Sequence, residues 1–262
     1  MIYFEQLESN IESLSEQFLS AAPFEHLVID NFCNEEKLRS ALKAIPDPVD
    51  ANVNRSRDFI FAKNKFEKAD FDQLDDNLAT VKGELLSERF AKLVSDIAKQ
   101  DIFIDPSFHG GGLHQGGAGS FLNMHADFNY HPLNKSWFRN INILLYLNDN
   151  WQQSYGGELK LINKHDPQRK EYLIEPKFNR AVIMFTREHT LHGYDPIQFP
   201  EGMYRRSIAA YGYTKQAEEG IVRTTVWYPE DGGKVKKLLG KYMPHLIRFK
   251  SAILGSKTGN NK

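Results

Sequence analysis

The chain has a single cysteine, Cys33, so an intramolecular disulfide is excluded and a reducing compartment fits the composition. It has no apolar run approaching the 18 residues of a membrane span. Its N-terminus, Met1-Ile2-Tyr3-Phe4-Glu5-Gln6-Leu7-Glu8, lacks a basic region followed by an apolar stretch, so we read no signal peptide and expect a cytoplasmic protein. It also lacks an excess of either charge: 33 basic against 34 acidic residues leave a net charge of −1, which gives no reason to expect a nucleic-acid partner. There is no internal repeat and no low-complexity tract. With 262 residues, 41% of them hydrophobic and 26% charged, the chain can bury an ample core as one domain with extensions.

Charge is nevertheless uneven. From Gly232 to the end there is no acid, while Lys234, Lys236, Lys237, Lys241, Arg248, Lys250, Lys257 and Lys262 accumulate. Val235, Leu238, Leu239, Tyr242, Leu246, Phe249 and Ile253 form a helical stripe with lysines opposite, interrupted by Pro244. We expect a basic amphipathic helix docked on the body, with dimer or anionic-surface contact as the lesser reading, and a disordered tail from Gly255.

The first hundred residues read as helical. Residues 5–20 and 82–99 have helical spacing, Asn34 followed by Glu35-Glu36 caps a third helix, and Phe24 to Ile29 reads as a strand. The polar stretch 46–78 carries Arg55, Arg57, Lys63 and Lys65 around Phe59-Ile60-Phe61 and reads as a hairpin or mobile loop. From about residue 102 glycines cluster, and short apolar runs recur at 120–127, 139–148, 157–163, 171–175, 180–186, 190–194 and 204–213. Many short strands without intervening helices argue for a sandwich or jelly roll, with helices packed on a β core. The expected division is a support region over 1–100, a β core over 101–215 and an extension over 216–262. In the run Arg139 to Asn148, alternation puts Ile141, Ile143, Leu145 and Leu147 on one face and Asn140, Asn142, Leu144 and Tyr146 on the other, which suits a cavity wall.

His125 and Asp127 fall on one side of a strand end by the same period, and His192 can join them from a strand facing the first across the roll. Two imidazoles and one carboxylate are the ligand set of a non-haem Fe(II) oxygenase, leaving positions open for a bidentate cosubstrate and O2. A bare His-X-Asp is weak evidence in a chain with nine histidines. His26, His109, His131, His165, His189 and His245 read as surface, turn or packing residues, and His114 stays undecided. Arg205 and Ser207 share a strand face, and a guanidinium with a nearby hydroxyl suits the distal carboxylate of 2-oxoglutarate. Arg206 points the other way. Tyr146 is a further donor for that carboxylate, although a packed aromatic is the commoner role.

These segments are colinear with one family. GSFLNMHAD at 119–127, RNINILLYLNDNW at 139–151, Gly156-Gly157-Glu158-Leu159, Glu175-Pro176-Lys177-Phe178-Asn179-Arg180, His192-Gly193 and RRSIAAYGY at 205–213 resemble the Fe(II)/2-oxoglutarate dioxygenases of the prolyl 4-hydroxylase-like group, over roughly residues 100–215. The resemblance implies a double-stranded β-helix, Fe(2+) held by His125, Asp127 and His192, and 2-oxoglutarate held by Arg205 with Tyr146 and Ser207. It places Leu144 and Leu159 along the cosubstrate pocket and Arg139 near the substrate entrance. Asn142 and Arg57 complete the substrate candidates. Relatives often carry a Tyr about ten residues before the first iron ligand; here the region reads His114-Gln115, which makes Gln115 the candidate replacement. The interval from His192 to Arg205 is longer than in the oxygen sensors, and its insertion from Asp195 to Pro200 reads as a rim loop.

The activity so implied is O2-dependent hydroxylation with release of succinate and CO2, with ascorbate as an accessory reductant. The leading substrate is a prolyl residue of a peptide or protein; the alternative is a free amino acid, sugar or biosynthetic intermediate. A closed pocket roofed by 46–78 would favour the small molecule and an open groove the polypeptide. A jelly-roll binding module without activity and a cupin-like metal enzyme without 2-oxoglutarate are the remaining classes, and both are disfavoured by the joint presence of the three ligands and Arg205.

Overall fold

The computed structural model describes residues 1–48, 54–55, 60–230 and 233–240. Arg57, Pro244, His245 and the tail from Gly255 therefore lie outside the described residues. In chain order the elements are α1 (Phe4–Ser9), α2 (Ile11–Ser20), β1 (His26–Ile29), α3 (Glu35–Lys43), β2 (Asn54–Arg55), β3 (Ala62–Lys68), α4 (Asp76–Leu85) and α5 (Glu88–Ala98). There follow β4 (Phe103–Ile104), β5 (Gly112–Ala126), β6 (Tyr130–His131), β7 (Asn134–Tyr146), β8 (Leu159–Asn163), β9 (Tyr172–Ile174), β10 (Arg180–Phe185), β11 (Thr190–Tyr194), β12 (Arg205–Lys215) and β13 (Val226–Trp227). No helix among the described residues is long and apolar enough to cross a membrane.

The strands run in the order β1-β10-β7-β12-β5-β11-β8-β9, and every pairing is antiparallel. This curled sheet is the jelly roll expected from the strand spacing. Its long strand β5 does two jobs. The first half pairs with β12, and the second half pairs with β11 and β13. Glycines make that crossing possible: Gly119 has a φ of +72°, a conformation that a side chain disfavours.

The helices cover one face of the sheet. Ile141, Ile143, Leu145 and Leu147 of the β7 segment join Ala181, Ile183, Ile208 and Ala210 against Phe18, Leu38, Leu78, Phe90 and Val94 in one core. The even-numbered residues Asn142, Leu144 and Tyr146 face the other way, into a cavity. Local signals explain the helix ends. Asn34 Oδ1 accepts from Lys37 N at 3.0 Å, and Ser87 Oγ accepts from Phe90 N at 3.1 Å, so the stretch read as one helix over 82–99 is divided into α4 and α5.

The polar stretch 46–78 contains more structure than a loop. β3 pairs with β5 from Lys68↔Leu113 to Ala62↔Leu122 and so becomes a wall of the roll. β1 likewise pairs with β10, so two strands of the first hundred residues belong to the same sheet as the core. Over residues 233–240 the chain is helical, but Val235 and Leu238 are exposed while Lys236 is buried with its ammonium 5.2 Å from the Phe121 ring. This reverses the expected orientation. The same face carries Gly240, where a Cβ would stand 2.6 Å from the Trp227 carbonyl oxygen.

Candidate active site

His125 stands at the end of β5, Asp127 just beyond it, and His192 in the middle of β11. His192 and His125 are direct register partners. The second imidazole thus comes from the adjacent strand, and not from one facing across the roll as the sequence suggested. Adjacent antiparallel partners bring side chains to about 5 Å at Cβ, close enough for two rings to share one ion. One ligand atom from each of the three residues falls within 4.8 Å of the others, and all three residues are buried. His125 Nε2 is 3.5 Å from Asp127 Oδ1, and His192 Nε2 is 3.3 Å from Asp127 Oδ2. His125 Nδ1 lies 2.9 Å from the Asn123 carbonyl oxygen, to which it donates, leaving the Nε2 lone pair for an ion.

Electrostatics suit the same use. Burial, reinforced by His125, holds the His192 imidazolium below its ordinary range, so the ring is neutral at physiological pH. Burial would raise the Asp127 carboxyl, but the Arg139 guanidinium beside it outweighs burial and holds that group well below the usual carboxylate range. Neutral imidazoles and an ionised carboxylate are the forms that bind metal. Three such donors fit iron(II) and leave other positions free.

Arg139 is placed differently from the expectation of a contact at the substrate entrance. It is buried, and Nη2 donates to Asp127 Oδ2 at 2.9 Å. Asn142 Nδ2 donates to the same oxygen at 2.8 Å, and Arg139 Nε and Nη2 reach Asn142 Oδ1 at 3.1 and 2.8 Å. The guanidinium is sandwiched 3.6 Å from the Tyr211 ring centroid and 4.4 Å from that of Phe128. Strict alternation would have put Arg139 on the helix-facing side. A register shift in the β7–β12 pairing, Gly212↔Ile141 then Tyr213↔Arg139, leaves Asn140 as an extra residue. The bulge turns Arg139 to the cavity side, and Asn140 points away to donate to Thr214 Oγ1 at 2.7 Å. Asn140 is therefore not a cavity residue.

The other end of the cavity is built on β12. Arg205 Nε donates to the Gly157 carbonyl at 2.7 Å, Nη2 donates to the Tyr146 hydroxyl at 3.2 Å, and the guanidinium lies 4.2 Å from the Tyr194 ring centroid. Among the described residues these partners are neutral, and no Asp or Glu pairs with Arg205. A buried cation with only neutral partners is costly unless an anion joins it. Ser207, Leu144 and Leu159 line the same cavity, whose volume is roughly 250 Å³. Gly157 makes the close approach possible: its φ is +84°, and a Cβ would stand 3.1 Å from Arg205 Cδ.

Gln115 borders the cavity, but its amide is engaged on the opposite face. Its Oε1 accepts from Arg206 Nε at 2.8 Å, and its Nε2 donates to Pro46 O at 3.4 Å. The neighbouring His114 is the residue that alternation turns inward, beside Ser207. Lys65, read in the sequence only as one of several basic residues of a charged stretch that could favour an acidic substrate, lines the cavity, and so do Glu67, Tyr194, Tyr211 and Trp227, which sequence reasoning passed over. The Trp227 ring lies 4.8 Å from His125 and stacks at 5.2 Å on Phe61. Only the Gly156-Gly157 doublet gave a local signal for the Arg205 seat; the others depend on strand pairings that local pattern does not show.

Residues 111–213 match the model of the 2OG-Fe(II) oxygenase superfamily. No curated protein sequence matches the chain. Among solved structures, a prolyl hydroxylase from Trichoplax adhaerens, in complex with a hypoxia inducible factor peptide fragment, aligns with a TM-score of 0.60 at 16% identity, over 80% of this chain and 91% of its own. A Pseudomonas putida prolyl-4-hydroxylase aligns with a TM-score of 0.53 at 15% identity, over 79% and 100%. The alpha ketoglutarate dependent epimerase SnoN of nogalamycin biosynthesis aligns with a TM-score of 0.54 at 9% identity, over 86% and 88%. At these identities the likeness is one of fold. Over residues 111–213 the chain is similar to the 2OG-Fe(II) oxygenase superfamily, and that segment contains the three clustered ligands and Arg205; a 2-oxoglutarate-dependent dioxygenase with iron as its cofactor is the activity this supports.

Proposed function

We propose that the chain hydroxylates a small polar molecule, with iron held by His125, Asp127 and His192 and 2-oxoglutarate by Arg205, Tyr146 and Ser207. The observation that carries the cosubstrate assignment is the buried Arg205, whose partners among the described residues are all neutral, on the wall of the cavity that the His-Asp-His cluster also lines. When bound, iron and 2-oxoglutarate supply the oxidising power, with decarboxylation to succinate and CO2 coupled to transfer of one oxygen atom from O2 to a C–H bond. The residues do the rest. Arg139 and Asn142 hold Oδ2 of Asp127, and the carboxylate so oriented would hold the ion together with His125 and His192. The carbonyl of Gly157 and the Tyr194 ring fix the plane of the Arg205 guanidinium, so its remaining donors point into the cavity. Leu144, Leu159 and Trp227 exclude water from the space between.

The limited size of the cavity supports the small-molecule reading. β3 walls the cavity along β5, and the cavity is smaller than the ~300–1,000 Å³ typical of ligand pockets. The second reading, a prolyl residue of a polypeptide, rests on the sequence resemblance and on the peptide complex named for the Trichoplax neighbour.

The test is succinate release by protein loaded anaerobically with Fe(II) and exposed to O2 and 2-oxoglutarate, with free amino acids and hydroxy acids in one arm and proline-containing peptides in the other. Stimulation by a small molecule supports the proposal. Stimulation by peptides alone transfers the assignment to the prolyl reading. Absence of 2-oxoglutarate binding refutes the cosubstrate site.

A further inference from the structure

The cavity wall opposite the β7 side holds charge that the cosubstrate site does not use. β3, β5, β12 and β7 lie side by side, and their registers align residues into rows. Glu67 pairs with His114, His114 with Ser207, and Ser207 with Tyr146. One step along, Lys65 pairs with Gly116 and Gly116 with Arg205. All of these line the cavity. Lys65 Nζ is 2.7 Å from Glu67 Oε1, and the Lys65 side chain retains 19% of its exposure. Each step between strands is about 4.8 Å, so Lys65 stands two strands away from Arg205, with a glycine between them.

His114 adds a lone pair to this wall. A hydrogen bond with the Gly110 backbone engages one ring nitrogen, and Nε2 is left buried without a partner. Burial, with Lys65 adding to it, pushes the imidazolium down to about 3, so the ring is neutral and its free nitrogen is an acceptor.

Charge balance then selects the ligand. The ionised groups lining the cavity among the described residues are three cations, Lys65, Arg139 and Arg205, against two carboxylates, Glu67 and Asp127. Iron(II) and 2-oxoglutarate cancel each other. One positive charge remains in a partly enclosed space, where the surroundings favour a ligand that neutralises it.

We propose that the primary substrate is a small carboxylate, bound through that group to Lys65, with a hydroxyl or amine of the same molecule donating to His114 Nε2. Glu67 orients the ammonium, and Lys65 is a specificity-determining residue. The inference rests on the dioxygenase reading of the same cavity and adds the charge and the contact points of the substrate.

The experiment titrates the holoprotein, loaded anaerobically with Fe(II) and 2-oxoglutarate, with matched probes: L-amino acids and small hydroxy acids, each beside its carboxamide. Binding is read from the visible charge-transfer band. We expect at least one acid to bind ~10–100-fold tighter than its amide, the range of a charge-assisted hydrogen bond. Lys65→Met is expected to remove that preference and Lys65→Arg to keep most of it, with 2-oxoglutarate affinity held within ~3-fold by its separate seat on Arg205. Equal binding of acids and amides, or no binding of any acid, overturns the proposal. So does a Lys65→Met protein that loses 2-oxoglutarate more than it loses the acid, which moves the ammonium to the cosubstrate. If 2-oxoglutarate itself does not bind, or binds without Arg205, the underlying dioxygenase site is what fails.

Discussion

Arg139→Met is the perturbation that most directly probes how this chain prepares a metal ligand. In the folded protein Arg139 Nη2 and Asn142 Nδ2 both donate to Asp127 Oδ2, at 2.9 and 2.8 Å. The guanidinium is also the main charge opposing the burial that would otherwise raise the Asp127 carboxyl. Methionine keeps the stem and its packing between Tyr211 and Phe128 but removes the charge and the donors. Loss of one partner of a buried pair costs about 3–5 kcal/mol when the other stays ionised. Asp127 escapes part of that cost by taking up a proton, so the penalty reappears as competition between proton and metal. Loss of a partner that orients a ligand lowers metal affinity by about 10–100-fold.

The direction with pH follows from linkage. The folded pKa of Asp127 is depressed, so its contribution to stability is complete above the ordinary carboxylate value near 3.9 and is lost as pH falls through the folded value. Without Arg139 the folded value rises, and the acid limit of metal binding moves to higher pH. Calorimetric titration with Co(II) from pH 5 to 8 measures both effects. We expect weaker affinity throughout and a steeper decline toward pH 5 than in the parent protein. Asn142→Leu is expected to do less, and the double variant to be non-additive, because both donors meet one oxygen. Affinity within twofold of the parent across this range would refute the clamp.

Arg205→Gln is expected to weaken 2-oxoglutarate by ~10–150-fold while leaving Co(II) affinity unchanged, since it removes a charge-assisted contact remote from the ligands; Tyr146→Phe should cost no more than ~10-fold in the same titration. Gly157→Ala forces a side chain into a backbone with φ +84° and to within 2.9 Å of Ile197 Cγ2, so it is expected to lower the melting temperature and to raise the KM for 2-oxoglutarate by shifting Arg205. Cys33 is fully buried and its thiol is pushed up to about 12 by burial, so the folded protein is expected to resist iodoacetamide at pH 8 and to be alkylated once unfolded in urea. Rapid alkylation of the native form would contradict that placement.

Residues whose roles follow from local pattern were legible in the sequence. Alternation along Ile141 to Leu147 identified the face that receives the helices, and Asn142, Leu144 and Tyr146 fall on the cavity side as read. The motif series placed His125, Asp127, His192 and Arg205 in one cavity, where the structure also finds them. Arg206 turned away, as alternation required, but its partner Gln115 turned with it, because Arg206↔Gln115 is a register pair. That pairing joins strands about ninety residues apart, and nothing in either segment reveals it.

Arg139 shows how small the illegible element can be. One extra residue in β7, Asn140, reverses the facing of everything before it relative to everything after. Without the bulge, Arg139 would lie against the apolar core beneath the helices, where a guanidinium has no acceptor. With it, Asn140 finds Thr214, and Arg139 reaches Asp127 and Asn142. The irregularity therefore gives two polar side chains partners at once, the Asn140 amide nitrogen and the Arg139 guanidinium, and its effect appears at the metal cluster. The same reasoning applies to β3, where a register shift between Lys63 and Lys65 accompanies the turn of Lys65 and Glu67 into the cavity while Lys63 stays exposed. Each shift turns a charged side chain into the cavity. The clustered ligands lie at strand positions a motif can mark, whereas Arg139 and Lys65 lie where the ladder breaks.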